Sequence, residues 1–192
     1  MQLLRLFPRY RIRRGRPADA DGLCAVHERA VRVLGRRVYN DSQIESWVHG
    51  NTPACYVEAM RDEGERFEVA VSRLRGIVGF CALKDKEVRS LYVDPDWSGL
   101  GVGSALLRRA EAMIAAAGHD KVVIGASLAG LPFYERHGYR VVQHRHWRSR
   151  GGLLIPAADM EKPLGKAKAA DGHSRQRDLP ADFPLTRRTS RA

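Results

Sequence analysis

The chain has 192 residues, enough for one domain around one core. Hydrophobic residues make up 44% of it, and no run approaches the roughly 18 apolar residues of a membrane span, which reads as a soluble globular protein. The net charge of +11 invites a nucleic-acid reading, but no aromatic–basic platform or recognition-helix pattern accompanies it, so only weak, salt-sensitive attraction to polyanions is expected.

Residues 1–9 read as an N-terminal extension. Their apolar patch is too short for a signal peptide and is interrupted by Arg5, so a cytoplasmic protein is expected. Tyr10 to Arg14 alternates apolar and basic residues, as a half-buried strand does. Arg16-Pro17-Ala18-Asp19-Ala20-Asp21 is a helix start, with proline early and acids in the first turn. Leu23, Val26, Ala30, Val33 and Leu34 then give that helix its apolar face. Asp41-Ser42-Gln43 opens a second short helix through Trp47 and Val48, and Asn51-Thr52-Pro53 starts a third. Alternation at Phe67, Val69 and Val71 predicts a strand, followed by strands over 77–83 and 87–93. The connections are short, so these three should form an antiparallel meander.

A helix is predicted from Leu100 to Ala117, with Val102, Leu106, Ala110, Met113 and Ala117 on one face and Gly118 as its cap. Val122–Ile124 reads as a buried strand parallel to residues 88–93, and Leu131–His137 as a helix. Tyr139–Trp147 and Leu153–Met160 should form a closing hairpin. Past Lys162-Pro163 the apolar pattern dissolves, so the folded domain is placed at 10–163 and a basic, disordered tail at 164–192. Cys24, Cys55 and Cys81 are odd in number and contain no Cys-x-x-Cys pair, which argues against a disulfide framework and a zinc knuckle. Cys24 and Cys81 fall in apolar periodic segments and read as small core residues.

The stretch from Leu91 to Ser104, Leu-Tyr-Val-Asp-Pro-Asp-Trp-Ser-Gly-Leu-Gly-Val-Gly-Ser, carries the chemistry. An apolar strand meets a proline turn, and glycines at 99, 101 and 103 open the helix. The first amides of a helix have no intrahelical acceptor and carry the positive end of its dipole. Glycine lets an anion approach that backbone closely, so the motif is a phosphate cradle. A nucleoside-triphosphate loop is excluded because no Gly-Lys-Ser or Gly-Lys-Thr occurs. The dinucleotide fingerprint Gly-x-Gly-x-x-Gly is excluded because the spacing here is Gly-x-Gly-x-Gly.

The segment resembles the acyl-coenzyme A signature of the GNAT superfamily of N-acetyltransferases, Arg/Gln-x-x-Gly-x-Gly/Ala after a strand ending in Tyr-Val-x-Pro. Here it reads Ser98-Gly99-Leu100-Gly101-Val102-Gly103, behind Leu91-Tyr92-Val93-Asp94-Pro95. Pro132-Phe133-Tyr134-Glu135-Arg136-His137-Gly138-Tyr139 resembles the family's second signature, Phe-Tyr-x-x-x-Gly-Phe/Tyr. Ser98 departs from the family's Arg or Gln, which removes a side-chain contact and leaves the backbone cradle. The asparagine often found before the second signature is missing, and Ser127 is its candidate substitute.

The resemblance implies an α/β fold with a mixed, mostly antiparallel sheet flanked by helices, splayed where two parallel strands part to admit the coenzyme. It implies acetyl-coenzyme A as cosubstrate, no metal, and transfer of the acetyl group to a primary amine by direct attack. The pyrophosphate should meet the amides from Gly99 to Ser104, with the Ser104 hydroxyl adding a hydrogen bond. The oxyanion should be held by the strand backbone near Leu91, Tyr92 and Val93. Tyr134 falls where the family's thiol-protonating tyrosine sits. A phenol of pKa about 10 can donate to a thiolate of pKa about 8.5. Glu87 falls on the strand where many relatives carry the base that deprotonates the amine, often through water.

Tyr39, Trp47 and His49 of the early helices are candidates for the acceptor pocket, as are His144 and His146 two apart on one strand. A His-x-His pair can bind metal, but no third ligand accompanies this one. The partners implied are acetyl-coenzyme A and an amine, for a monomer or homodimer with no specific nucleic acid and no membrane. The competing reading is a non-catalytic acyl-coenzyme A sensor or a nucleic-acid-binding module on the same fold.

Overall fold

A computed structural model describes residues 10–165. The expected N-terminal extension, and the expected tail from residue 166 onward, lie outside the described residues. Strands β1 (Arg11–Arg14), β2 (Arg66–Ser72), β3 (Gly76–Lys84), β4 (Glu87–Val93), β5 (Lys121–Ser127), β6 (Arg140–Arg148) and β7 (Leu154–Pro163) form one seven-stranded sheet. Their order is β1-β2-β3-β4-β5-β7-β6. The meander of β2, β3 and β4 is antiparallel, as its short turns require. Strand β7 enters between β5 and β6, which leaves β6 at the sheet edge. The apolar pattern of the closing hairpin did not reveal that insertion.

The parallel contact is confined to the first residues of β4 and β5. Glu87 faces Val123, Val88 faces Ile124, and the strands then part. Beyond Val88 the β4 edge turned toward β5 has no partner strand among the described residues. This is the splay expected from the sequence, and it runs from Ser90 to Val93 on one side and from Gly125 to Ser127 on the other.

Helices α1 (Ala20–Leu34), α2 (Asp41–Val48) and α3 (Pro53–Arg61) cover one face of the sheet, and α4 (Val102–Ala116) and α5 (Leu131–Arg136) cover the other. The α1 face buries Leu23, Val26 and Val31, while Val33, expected on it, is exposed. Helix α4 starts at Val102 rather than Leu100, because Gly101 takes a left-handed φ of +83° that ends the preceding turn. Its buried stripe is Val102, Leu106, Leu107, Ala110 and Ile114. Each large member contributes about 1.5–3 kcal/mol by leaving water. Cys81 is fully buried as expected, whereas Cys24 is only partly so.

The α4 face also holds a charge. Glu68 of β2 is completely buried, accepting from Arg109 Nε of α4 at 2.6 Å and from Arg66 Nε and Nη2 at 3.1 and 3.0 Å. That arrangement ties α4 to the meander with both carboxylate oxygens satisfied.

Candidate active site

The turn between β4 and α4 is held from α1. Arg29 donates from Nε to Asp94 Oδ2 at 2.8 Å and from Nη2 to Asp96 at 3.1 Å. The Asp94 side chain in turn accepts from the Asp96 amide at 3.0 Å. Ser98, Gly99, Leu100 and Gly101 follow as an exposed loop. The first helical hydrogen bond is from Ala105 N to Gly101 O, 3.0 Å. The amides of Val102, Gly103 and Ser104 therefore precede any intrahelical acceptor and stand at the positive end of the α4 dipole, the kind of place where an anion can be held. An added Cβ at Gly99 or Gly101 would meet nothing within 4 Å. The approach is open, and it is the left-handed backbone that demands glycine there.

Tyr134 of α5 is buried on the α4 side of the gap, in the same cluster against which Leu91 and Val93 pack. Burial pushes its phenol well above the ordinary range, so it stays protonated. Its ring packs on Phe133 and Tyr139. Ser127 is engaged within the fold: its Oγ accepts from the Gly130 amide at 3.2 Å and caps the turn into α5. The Ser104 hydroxyl is engaged by His137 Nε2 at 2.9 Å.

The opposite face of the gap is aromatic. Tyr92 stacks on His27 of α1, with ring centroids 4.0 Å apart. Trp47 meets Tyr39 and Trp147 edge-to-face, each at 5.4 Å. The Tyr39 hydroxyl is occupied, accepting from the Leu128 amide at 2.7 Å and donating to the Pro156 carbonyl at 2.8 Å. It braces the end of β5 against β7, leaving Trp47 and Trp147 as the aromatic wall. Helix α2 carries Trp47 into place because buried Ser46 bonds Ser149 Oγ at 2.6 Å and the Leu153 amide at 3.1 Å.

His49 is exposed beyond the end of α2. His144 and His146 pair with Ala158 and Pro156, so they lie on the α4 side of the edge strand, away from Trp147. They do not join the aromatic wall. The alternating residues Arg145 and Trp147 take that face instead. A period-two reading of β6 contains this choice, but only the position of β7 decides which phase faces the gap.

Glu87 sits below the gap, on the face shared with Val123 and Gly125. Its carboxylate is 3.0 Å from Arg89 Nη1. Arg89 also reaches Glu65 at 3.2 Å. A depression of about 490 Å3 lies elsewhere, beside Gly64, Leu83, Lys84 and Met113 at the far end of the sheet. It contains none of these groups.

A family model described as an acetyltransferase (GNAT) domain matches residues 36–164. The chain belongs to the GNAT acetyltransferases. It is 28% identical over 141 residues to the uncharacterized N-acetyltransferase YafP of Escherichia coli, covering 73% of this chain and 87% of that one. A GCN5-related N-acetyltransferase from Rhodopseudomonas palustris superposes with a TM-score of 0.74 at 26% identity, over 83% of this chain and 98% of the other. The PaiA N-acetyltransferase of Thermoplasma acidophilum, solved with coenzyme A, shares the fold with a TM-score of 0.64 at 22% identity, over 81% and 99%. This acetyltransferase therefore has the mixed, splayed GNAT sheet.

Proposed function

We propose that this acetyltransferase moves an acetyl group from acetyl-coenzyme A to the nitrogen of a small primary amine by direct attack. The observation that carries the reading is the parting of β4 from β5 after Val88, which opens the sheet between two chemically different faces. A thioester lying in the gap, its pyrophosphate on the amides of 102–104, would present its sulfur to the Tyr134 side. Its carbonyl would meet the unpartnered β4 backbone at Leu91–Val93, which supplies the oxyanion donor. The amine would approach from the face of Trp47, Tyr92 and Trp147.

In the step itself the neutral nitrogen attacks the thioester carbon, and the tetrahedral oxyanion collapses as the carbon–sulfur bond breaks. The amine's surplus proton leaves toward Glu87 through water, and the Tyr134 phenol protonates the thiolate. The products are the N-acetyl amine and free coenzyme A. The Glu87 and Tyr134 sides of the sheet are separated by the gap, which suits removal of one proton and delivery of the other without crossing.

The test is release of free thiol from acetyl-coenzyme A across a panel of small amines and lysine peptides. Turnover with small amines is expected. Binding of acetyl-coenzyme A with no turnover on any amine would make the protein a sensor and overturn the proposal.

A further inference from the structure

Gly125 is the first residue of β5 beyond its last pair with β4, so it floors the mouth of the gap. In the same row stand Asp159 of β7 and Gln143 of β6. Arg145 lies one row on, opposite Ala157, and its side chain folds back across the sheet. Its Nε donates to Asp159 Oδ1 at 2.5 Å, while Gln143 Nε2 donates to Asp159 Oδ2 at 2.7 Å. A Cβ added at Gly125 would stand 2.5 Å from Arg145 Nη2. The guanidinium thus rests directly over the bare backbone of Gly125. A side chain there would evict it.

Both oxygens of Asp159 are engaged by this arrangement. The two terminal nitrogens of Arg145 have no hydrogen-bond partner among the described residues, and the side chain is 40% exposed. The other acids on this face are already paired: Glu161 with Lys121 and Arg140, and Glu87 with Arg89. The face therefore offers an anion a planar fork of N–H donors, oriented by Asp159, with no unpaired carboxylate among the described residues to oppose it. Such a fork matches a carboxylate by two parallel hydrogen bonds.

We infer that Arg145 is the specificity group of the acceptor site, and that the acceptor is a small amine carrying a carboxylate close to its nitrogen. The inference deepens the proposed acetyl transfer and rests on it. A carboxylate anchored at Gly125 holds an amine a few bonds away over the gap, where the thioester carbon would lie. The wall of Trp47 and Trp147 closes the other end and limits the acceptor's size.

The experiment compares kcat/KM for matched amino acids and their carboxamides, in the wild type and in Arg145→Gln. The glutamine keeps an N–H donor for Asp159, so the fold has little reason to fail. Gly125→Ala is the second variant, because it crowds only the flexible end of Arg145. The wild type should prefer the acid over its amide by at least about tenfold, the scale of a charge-assisted contact. Both variants should bring that ratio close to one, chiefly through KM for the acid. Turnover without preference for the acid, or a preference that survives both variants, would overturn the assignment of Arg145 and leave acetyl transfer standing. Binding of acetyl-coenzyme A with no amine turned over would overturn the activity and this inference together.

Discussion

The Ser104 hydroxyl donates to His137 Nε2 at 2.9 Å, and the direction of that bond is set from the other side of the ring. His137 Nδ1 lies 2.8 Å from the Phe133 carbonyl, which can only accept, so Nδ1 carries the proton and Nε2 the lone pair. The first side-chain donor on α4 is therefore turned away from an incoming phosphate. Coenzyme affinity in the wild type should rest on backbone amides, and Ser104→Ala should change it little. His137→Phe keeps the packing on Phe133 and releases the hydroxyl. It should tighten coenzyme binding by about three- to tenfold, the net scale of one hydrogen bond. Calorimetry of both variants and their double mutant decides the matter. An equal loss on Ser104→Ala in either background would show that the hydroxyl already serves the phosphate.

Glu68 and Arg109 give a stability prediction. Removing the carboxylate by Glu68→Ala leaves a cavity and strips Arg109 and Arg66 of their acceptor. The cost should be roughly 3 kcal/mol, in the range for breaking one side of a buried ion pair. Urea unfolding would read it directly. A change below about 1 kcal/mol, the usual worth of a surface pair, would mean that solvent reaches the site after all.

Glu68 also marks where the sequence was hard to read. Alternation at Phe67, Val69 and Val71 predicts a strand and says nothing of what covers its other face. The strand is in fact covered on both sides, and Glu68 is tolerated inside because α4 brings Arg109 to it. Strand identity and the antiparallel meander were legible because each depends on local spacing, whereas the splay was legible only through the resemblance of the 98–103 and 132–139 motifs to a known family. The row of Gly125, Asp159 and Gln143 was not, since it exists only once β7 has entered between β5 and β6. Nor was Tyr39 legible as a brace, because both its partners lie far along the chain.

His27 should make the fold acid-sensitive. Burial, with the Arg150 charge nearby, lowers its pKa from 6.5 to about 4. Its Nδ1 donates to Tyr56 Oη at 2.7 Å, whose proton goes to Asn51 Oδ1 at 3.0 Å, and its buried Nε2 has no partner among the described residues. Above pH 6.5 the ring is neutral in both folded and unfolded chains. Between 6.5 and about 4 the unfolded chain takes up a proton that the folded one refuses. Stability should therefore fall as pH drops through that window, by at most about 1.4 kcal/mol per pH unit from this group. Urea midpoints at pH 7, 6 and 5 should decline more steeply in the wild type than in His27→Gln. Parallel declines would remove His27 as the cause.

Cys55 should be the reactive thiol of the described residues. Burial pushes its pKa up, but the hydrogen bonds with Thr52 and the Arg150 guanidinium outweigh it and leave the pKa lowered. Cys24 shifts the other way, raised chiefly by burial. At pH 7 iodoacetamide should label Cys55 before Cys24, and Arg150→Gln should slow that labelling several-fold by raising the thiol's pKa. Peptide mapping over a time course gives both rates. Cys24 reacting first would contradict the assignment.

Tyr134 and Glu87 should separate by pH. Tyr134→Phe removes one hydroxyl from a buried ring and keeps its packing on Phe133 and Tyr139. If that hydroxyl protonates the leaving thiolate, kcat should fall by about 10- to 1000-fold with KM for acetyl-coenzyme A little changed. The loss should persist at every pH, because the phenol is held protonated by burial throughout the working range. Glu87→Gln removes the proposed base without changing side-chain shape, and Arg89 keeps Glu65 as a partner. Its deficit should be largest at low pH, where the acceptor arrives as an ammonium. It should shrink as pH rises and solvent removes the proton instead. Full pH–rate profiles for the three proteins make the comparison. If both variants keep wild-type kcat and profile, catalysis rests on positioning and the backbone oxyanion donors of β4 alone.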